Sequence, residues 1–452
     1  MKAAIIGYGE QGRSSLEYWQ KKGYEITVCD QNPQIEVPPG VSTQVGVTYL
    51  HDLSDFDLIV RSPSVHPSVL YDALQDHQEA KEKITSNTNE FFNVCPAPII
   101  GVTGTKGKGT TSTLIAKILE KSGKKVHLGG NIGTPPLDLL KQAISPDDIV
   151  VLELANFQLI DMKSSPKIAV CLMITEEHLD WHNNFFEYID SKRQIFKHQD
   201  HDNIAIYNAN NVYSTEIASS SRAHNKISYD VPAEDKAPEN TEGVYLDGHH
   251  IKFGEHKVCS TKDIKLPGRH NIENVCAAIA ATWDLIGHNK HAVKKVLKNF
   301  TGLPHRLEKV AEINDVTFID DSFGTNPATA IVALRSFRQP KIIIVGGSEK
   351  GISYQPLVDE IVKQNVKHVV AIGETGPAIL ELLKNAPGGN IITHTSLNAT
   401  KTMDEIISSA TEKATNGDVI LLSTASASFD MFKDYKDRGD QFKVAVKRLA
   451  QQ

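Results

Sequence analysis

Ile99-Ile-Gly-Val-Thr-Gly-Thr-Lys-Gly-Lys-Gly-Thr-Thr-Ser-Thr113 is the stretch on which the fold turns. Pro98 to Val102 is a short apolar run and reads as a buried strand. A loop with Gly104, Gly107 and Gly109 follows. Thr110 to Lys121 then has helical spacing, with Leu114, Ile115, Ile118 and Leu119 on one face. Strand, glycine loop and helix form the arrangement by which a chain wraps a polyphosphate. Backbone N–H groups approach the oxygens, the helix start adds partial positive charge, and Lys108 adds a full one. The loop departs from the strict P-loop pattern in two places. Gly101 and Gly107 stand one residue further apart than the pattern allows, and Gly109 follows the lysine where Ser or Thr is usual. The bland alternative is a glycine-rich turn with no ligand, but a lysine inside such a turn has little structural use.

Upstream, Lys2 to Ile6 reads as a strand, Gly7-Tyr-Gly-Glu-Gln-Gly12 opens a helix to about Lys22, and Glu25 to Cys29 forms a second strand ending at Asp30. A GxGxxG turn followed by an acidic residue about twenty positions on is a dinucleotide-type arrangement. It implies a Rossmann-like half able to hold a nucleotide diphosphate. A second phosphate loop in the same chain argues against a simple NAD enzyme. Leu58 to Val60 leads into Arg61-Ser-Pro-Ser-Val-His66, a further strand-end loop. Residues Asn93 to Pro98 mark a first boundary.

Downstream, strands are expected at Val126–Gly129, Ile149–Leu152 and Ile168–Ile174, alternating with helices in a mostly parallel sheet. Residues 214–265 read as loops and small antiparallel strands. Arg269-His-Asn-Ile-Glu-Asn274 opens an alanine-rich helix. A third section begins near Thr301, with strands at Val316–Ile319, Lys341–Val345, His368–Ile372 and Val419–Leu422. The predicted class is therefore α/β in three domains: a Rossmann-like domain over 1–95, a central P-loop-type parallel-sheet ATPase domain over 96–300, and a C-terminal Rossmann-like α/β domain over 301–452.

At 452 residues the chain is long enough for several cores. Its 40% hydrophobic and 23% charged content is that of a globular protein, and its net charge of −7 argues against nucleic acid as the main partner. Cys29, Cys95, Cys171, Cys259 and Cys276 are scattered and contain no CxxC pair, so neither a zinc ribbon nor a disulfide framework is suggested. No secretory signal pattern stands at the start, and no apolar run nears the ~18 residues of a membrane helix. The expected compartment is the cytoplasm.

Three polar groups follow strands in the central section: Lys108, Glu153 and His178. In one parallel sheet such strand ends share a rim. A phosphate-binding lysine beside a carboxylate and a histidine able to hold a divalent cation suits nucleoside triphosphate chemistry. A surface carboxylate for Glu153 and a capping role for His178 are the plain alternatives. Apolar neighbours on both sides of Glu153, and Glu176, Glu177 and Asp180 around His178, favour the functional ones.

These residues and their order resemble the Mur ligases over nearly the full length. The matching motifs are Gly101-Val-Thr-Gly-Thr-Lys-Gly-Lys108, Leu152-Glu-Leu-Ala-Asn-Phe-Gln-Leu159, Thr175-Glu-Glu-His-Leu-Asp180, Tyr188-Ile-Asp-Ser-Lys192, Asn208-Ala-Asn210, Gly268-Arg-His-Asn271, Gly302-Leu-Pro-His-Arg306, Asp321-Ser322, Thr325-Asn326 and Ser426-Ala-Ser-Phe-Asp430. The short N-terminal domain and Gly302-Leu-Pro-His-Arg-Leu-Glu308 point to the D-glutamate-adding branch. The resemblance implies an ATP- and Mg²⁺-dependent, amide-forming ligase that joins D-glutamate to UDP-N-acetylmuramoyl-L-alanine through an acyl phosphate. Such an enzyme serves cytoplasmic peptidoglycan precursor synthesis, and hence cell shape and division. It also implies a monomer with no membrane insertion.

By the same resemblance Gly104, Thr105, Lys106, Gly107, Lys108, Gly109 and Thr110 hold the ATP phosphates. Asn271 and Asn274 lie near the adenine, Arg306 on phosphate and Asp321 on the ribose. Thr110, Glu153, His178 and Lys192 form the metal set, with Lys192 matching a lysine carried as a carbamate. Lys108, His178 and Lys192 are the implied catalytic residues, His178 as metal ligand or as general base. Gly9, Glu10, Gln11, Gly12, Asp30, Ser62 and Asn131 face the UDP substrate. Thr325, Lys350, Ser428 and Tyr435 face the amino acid.

The amino-acid pocket departs from the family at Phe323, where a lysine is usual, so one expected cation is lost while Lys350 is kept. Tyr435 replaces a phenylalanine and Glu177 an aspartate. Other readings are a Mur-type ligase for another amino acid, a folate-type polyglutamate ligase with no use for the first domain, or an inactive nucleotide-binding relative.

Overall fold

The structure is a computed structural model that describes residues 1–233, 236–266, 268–349 and 352–451. It divides into two compact units, Met1–Phe300 and Thr301–Gln452.

The first unit contains two sheets. Strands β1 (Lys2–Ile6), β2 (Glu25–Asp30), β3 (Ser42–Val45), β4 (Leu58–Arg61) and β5 (Ile84–Ser86) are all parallel in the order 3-2-1-4-5. Helix α1 (Glu10–Lys21) packs on this sheet, its Leu16 and Trp19 joining Ala3, Ile5 and Val28. The order reverses between β1 and β4, so the loops after these strands flank a switch point, where open α/β sheets bind ligands.

The second sheet has nine strands. Its parallel part runs β7 (Val126–Gly130), β8 (Ile149–Glu153), β6 (Ile99–Thr103), β9 (Ile168–Cys171), β10 (Ile204–Asn208), β11 (Asn225–Asp230) and β12 (Val244–Asp247). Strands β13 (His250–Phe253) and β14 (His256–Ser260) then add antiparallel pairs. Central strands are fully buried apolar runs, as a sheet covered on both faces requires. Helix α2 (Lys108–Lys121) follows β6, α3 (Phe185–Lys197) precedes β10, and α4 (Arg269–Thr282) packs against α2.

Several local readings change. α2 begins at Lys108 rather than Thr110, because Gly107 adopts the left-handed conformation (φ +85°) and caps it. β9 ends at Cys171 rather than Ile174, since the next residues bond elsewhere: Thr105 N–H donates to the Met173 carbonyl and Ile174 N–H to Asn211 Oδ1. Residues 214–265 hold more regular structure than expected. A helix covers Val212–Ala218, with Asn211 Oδ1 capping Ser214 N–H, and β11 and β12 are parallel.

The second unit is a six-stranded sheet: β15 (Glu308–Ile313), β16 (Val316–Asp320), β20 (Val419–Leu422), β17 (Lys341–Val345), β18 (Val366–Ile372) and β19 (Thr393–Leu397). Among the described residues only the edge strand β15 is antiparallel. Helix α5 (Tyr435–Leu449) closes it, burying Phe442, Ala445 and Val446.

Candidate functional site

At the C-terminal rim of the nine-stranded sheet, the loops after β6, β7, β8 and β9 meet. Residues Gly104 to Gly107 turn the chain from β6 into α2. A Cβ on Gly107 would lie 2.3 Å from Asn274 Oδ1, so this loop is pressed onto α4 at a point where only glycine fits. Asn274 continues the contact by accepting from Thr111 Oγ1 at 3.2 Å and donating to Asn271 Oδ1 at 3.1 Å. Both adenine-side asparagines of the sequence reading therefore stand beside the phosphate loop.

Lys108 Nζ donates to the carbonyls of Gly104 and Thr105 at 3.1 and 3.0 Å. Lys192, fully buried on α3, donates to the same Gly104 carbonyl at 2.8 Å and lies over the Tyr188 ring at 4.6 Å. Burial first, and the charge of Lys108 second, hold the Lys192 amine well below its ordinary value. Glu153 ends β8 in an almost wholly buried position and accepts from Asn131 Nδ2 at 3.0 Å, so Asn131 after β7 orients it. His178 sits in the left-handed region (φ +58°), its Nε2 3.7 Å from Glu177 Oε2 and its ring 4.8 Å from Phe157. Burial lowers its pKa, helped by Lys108 and Lys192 and opposed by Glu177 and Asp180. At neutral pH its imidazole is neutral, with a lone pair to offer.

The loop residues divide by role. Thr105 is buried, its hydroxyl bonded to the Thr175 carbonyl at 3.0 Å and to Tyr188 at 2.8 Å, so it ties the loop after β6 to that after β9. Lys106 is exposed, Gly109 is buried in the first turn of α2, and Thr110 is half-buried beside it.

At the first sheet's switch point, Ser62 Oγ donates to the Gly7 carbonyl at 2.5 Å. A Cβ on Gly12 would stand 2.2 Å from that same carbonyl, which is why α1 can start so close to β1. Asp30 accepts from Tyr8 N–H at 2.7 Å and Asn32 N–H at 2.8 Å, and so braces the loop. Gln11 Oε1 is buried without a hydrogen-bond partner among the described residues. Gly9 has open space around it and Glu10 begins α1.

Sequence reading missed Arg61. It is wholly buried, grips Asp161 with two 2.6 Å bonds, and donates to the carbonyls of Val65 and Phe157 at 2.7 and 2.9 Å. It thus links the Ser62 loop to the segment after Glu153. Its partner is 100 residues away, so no local pattern marks it.

In the second unit, the loops after β16, β17 and β20 meet where the strand order reverses. Asp321 accepts from Ser423 Oγ at 2.7 Å and Leu307 N–H at 3.1 Å. Arg306 lies over the Phe323 ring at 5.2 Å, and that ring meets Tyr435 edge-on at 5.4 Å. Phe323, where the family lysine was expected, therefore packs between Arg306 and Tyr435. Ser428 is buried after β20 and Thr325 half-buried after β16. The expected Lys350 lies outside the described residues. Arg438 on α5, also missed, is fully buried; it donates to Ser322 Oγ and O at 2.8 Å and to the Ser426 carbonyl at 3.1 Å, fixing both loops.

Burial raises the Asp321 carboxyl from 3.8 to about 6, against the opposing effects of Ser423, Leu307 and Arg306. The folded protein keeps a proton that the unfolded chain has lost, so stability falls as pH rises from 3.8 to about 6. Asp321→Asn is expected to raise the melting temperature at pH 8, by up to about 3 kcal/mol of stability. The gain vanishes near pH 4. Melting curves at the two pH values check this.

Comparison with known proteins decides the family. Residues 102–282 match the Mur ligase middle domain and residues 305–426 match the Mur ligase, glutamate ligase domain. The UDP-N-acetylmuramoylalanine–D-glutamate ligase of Clostridium tetani is 34% identical over 99% of this chain and 97% of its own. That of Clostridium kluyveri is 35% identical over 98% and 96%. The chain belongs to the Mur ligase family. Solved Mur ligases share the fold of this Mur ligase. UDP-N-acetylmuramate–alanine ligase of Thermotoga maritima superposes with a TM-score of 0.54 at 17% identity, covering 99% of each chain. The D-alanyl-D-alanyl-adding ligase of Acinetobacter baumannii gives 0.53 at 16%, over 98% of this chain and 90% of its own. No helix among the described residues is long and apolar enough to cross a membrane.

Proposed function

We propose that this Mur ligase adds D-glutamate to UDP-N-acetylmuramoyl-L-alanine at the expense of ATP, in the cytoplasmic assembly of peptidoglycan precursor. The observation that supports this most is the rim itself: a glycine loop with Lys108, a buried carboxylate at Glu153 and a neutral His178, carried at or after the ends of neighbouring strands. The relatives that match nearly the whole chain carry that activity in their name.

The substrate carboxylate attacks the γ-phosphorus of ATP and ADP leaves, giving an acyl phosphate. The amine of D-glutamate then attacks the carbonyl carbon, and phosphate departs from the tetrahedral adduct. Lys108 and the α2 start hold the phosphates. Asn271 and Asn274 sit by the base, and Arg306 and Asp321 complete the nucleotide residues. Gly9, Glu10, Gln11, Gly12, Asp30, Ser62 and Asn131 receive the UDP substrate. Thr325, Ser428, Tyr435 and Lys350 receive the amino acid.

Glu153, with one oxygen fixed by Asn131, and His178, with a free lone pair, are donors that fit Mg²⁺. Thr110 and a carbamylated Lys192 would complete the set. Bound there, Mg²⁺ offsets charge on the transferred phosphoryl oxygens. Carbamylation needs a neutral amine as nucleophile toward CO₂, and burial, with Lys108 beside it, shifts Lys192 toward that form. His178, if not bound to metal, takes the proton of the incoming amine. The working form is a monomer with domains at 1–95, 96–300 and 301–452.

An amino-acid panel with ATP and UDP-N-acetylmuramoyl-L-alanine tests this by phosphate release and product mass. D-glutamate is expected to give one phosphate per product and to exceed every other amino acid. Preference for another amino acid overturns the specificity. Tight binding of ATP and UDP-sugar without phosphate release favours an inactive relative.

A further inference from the structure

A second polar cluster follows His178 along the chain, where His182 N–H donates to the His178 carbonyl at 3.0 Å. His66 Nε2 stands 3.3 Å from Glu187 Oε2, and His182 Nδ1 stands 3.1 Å from the same oxygen. The three ligand-type atoms lie within 4.8 Å of one another. We propose that His66, His182 and Glu187 form a structural transition-metal site of the Zn²⁺ class, joining the loop after β4 to the start of α3.

The donor set is two imidazoles and one carboxylate, the combination that suits borderline divalent ions better than Mg²⁺. In a tetrahedral Zn²⁺ site with bonds of about 2.0–2.2 Å, neighbouring ligand atoms lie about 3.3 Å apart. Both measured edges to Glu187 have that size. Each ligand is also held from behind. Ser68 Oγ is 2.7 Å from His66 Nδ1, Asn156 Nδ2 is 2.8 Å from His182 Nε2, and Asn183 Nδ2 donates to Glu187 Oε1 at 2.9 Å. Such outer partners orient metal ligands and set their tautomer.

Without metal, Asn156 donates to His182 Nε2, so the imidazole proton sits on Nδ1 and points at Glu187. His66 likewise directs Nε2–H at Glu187, because the Ser68 N–H reaches its Nδ1 at 3.2 Å. When the ion binds, each proton shifts to the other nitrogen of its own ring, and none is released. Half a turn of the Asn156 amide then offers Oδ1 to His182 Nε2–H, and His66 Nδ1–H turns to Ser68 Oγ, with no heavy atom moved far. His182 has no exposed side-chain surface, and burial keeps its imidazole neutral. In Glu187, burial is outweighed by Asn183 and His182, so the carboxylate stays ionised. Affinity weakens as pH falls, because a protonated imidazole has no lone pair to offer the ion. Trp181, whose ring lies 4.5 Å from His66 and 4.7 Å from His182, is a built-in reporter.

Co²⁺ titration of the whole protein in excess Mg²⁺ tests the site. Mg²⁺ saturates oxygen-rich positions and leaves a nitrogen-rich one open. One equivalent of Co²⁺ is expected to give the intense visible bands of tetrahedral cobalt and to quench Trp181. Zn²⁺ should displace it. His66→Asn and Glu187→Gln each lose the bands and weaken binding at least about tenfold, whereas His178→Ala keeps them. Metal-free melting curves confirm that the variants fold. Absence of tetrahedral bands, bands unchanged in both variants, or bands lost only in His178→Ala overturns the proposal.

Discussion

Lys108→Ala is expected to cut kcat/KM for ATP about 10²–10³-fold, the loss typical of one preorganised charge-stabilising group. The amine sits where two loop carbonyls hold it at the start of α2, so its position is fixed before any nucleotide arrives. Nothing else in the loop replaces it, since Lys106 points into solvent. Lys108→Arg is not expected to restore activity, because a planar fork does not fit a point-charge site. The variant has a second consequence. Lys108 is one cause of the low pKa of Lys192, so its removal raises the charged fraction of that amine and reduces its reaction with CO₂. Stability should change little, because Lys108 is itself half-buried and the Gly104 carbonyl keeps its bond from Lys192. Steady-state phosphate release beside a melting curve separates these effects. Activity within about tenfold of wild type would remove Lys108 from the phosphate site.

Arg61→Met is expected to destabilise the first unit by about 3–5 kcal/mol, the cost of stranding one member of a buried ion pair. The guanidinium is fully enclosed, and Asp161 would be left beside an apolar side chain without its two 2.6 Å bonds. The carbonyls of Val65 and Phe157 would also lose a donor. Pairing the change with Asp161→Leu should recover much of the loss, because two apolar groups do not leave a charge unpaired. A urea series on the single and double variants reads this as midpoint shifts. Equal midpoints for wild type and Arg61→Met would contradict it. Ser62 follows Arg61 directly, so the single variant is also expected to raise KM for the UDP substrate.

How much was legible in the sequence follows from the range of the forces involved. Apolar runs ending in glycine, Glu or Asp marked strand ends, because a parallel sheet buries its strands and presents polar groups at one rim. Glu153, Asp30, Asp321 and the glycine loop after β6 were placed at strand ends in this way. The extent of β9 was not, since Met173 and Ile174 are as apolar as the strand but bond to the loop after β6 and to Asn211. The Val212–Ala218 helix did carry a signal, the Asn211 cap with Ser214 three residues on. Arg61 and Arg438 could not be picked out, because their partners lie 100 and 116 residues away. Phe323 was marked only as a lost lysine. Its contact with Arg306 needed the folded loop.

In this mechanism the substrate carboxylate, not water, accepts the phosphoryl group from ATP. Oxygen-18 placed in the carboxylate of UDP-N-acetylmuramoyl-L-alanine tests it most directly, with the released phosphate weighed after one turnover. An acyl phosphate transfers one carboxylate oxygen to phosphorus, so phosphate carrying a single heavy oxygen is the predicted result. Phosphate with no heavy oxygen, formed while the amide product accumulates, would contradict it.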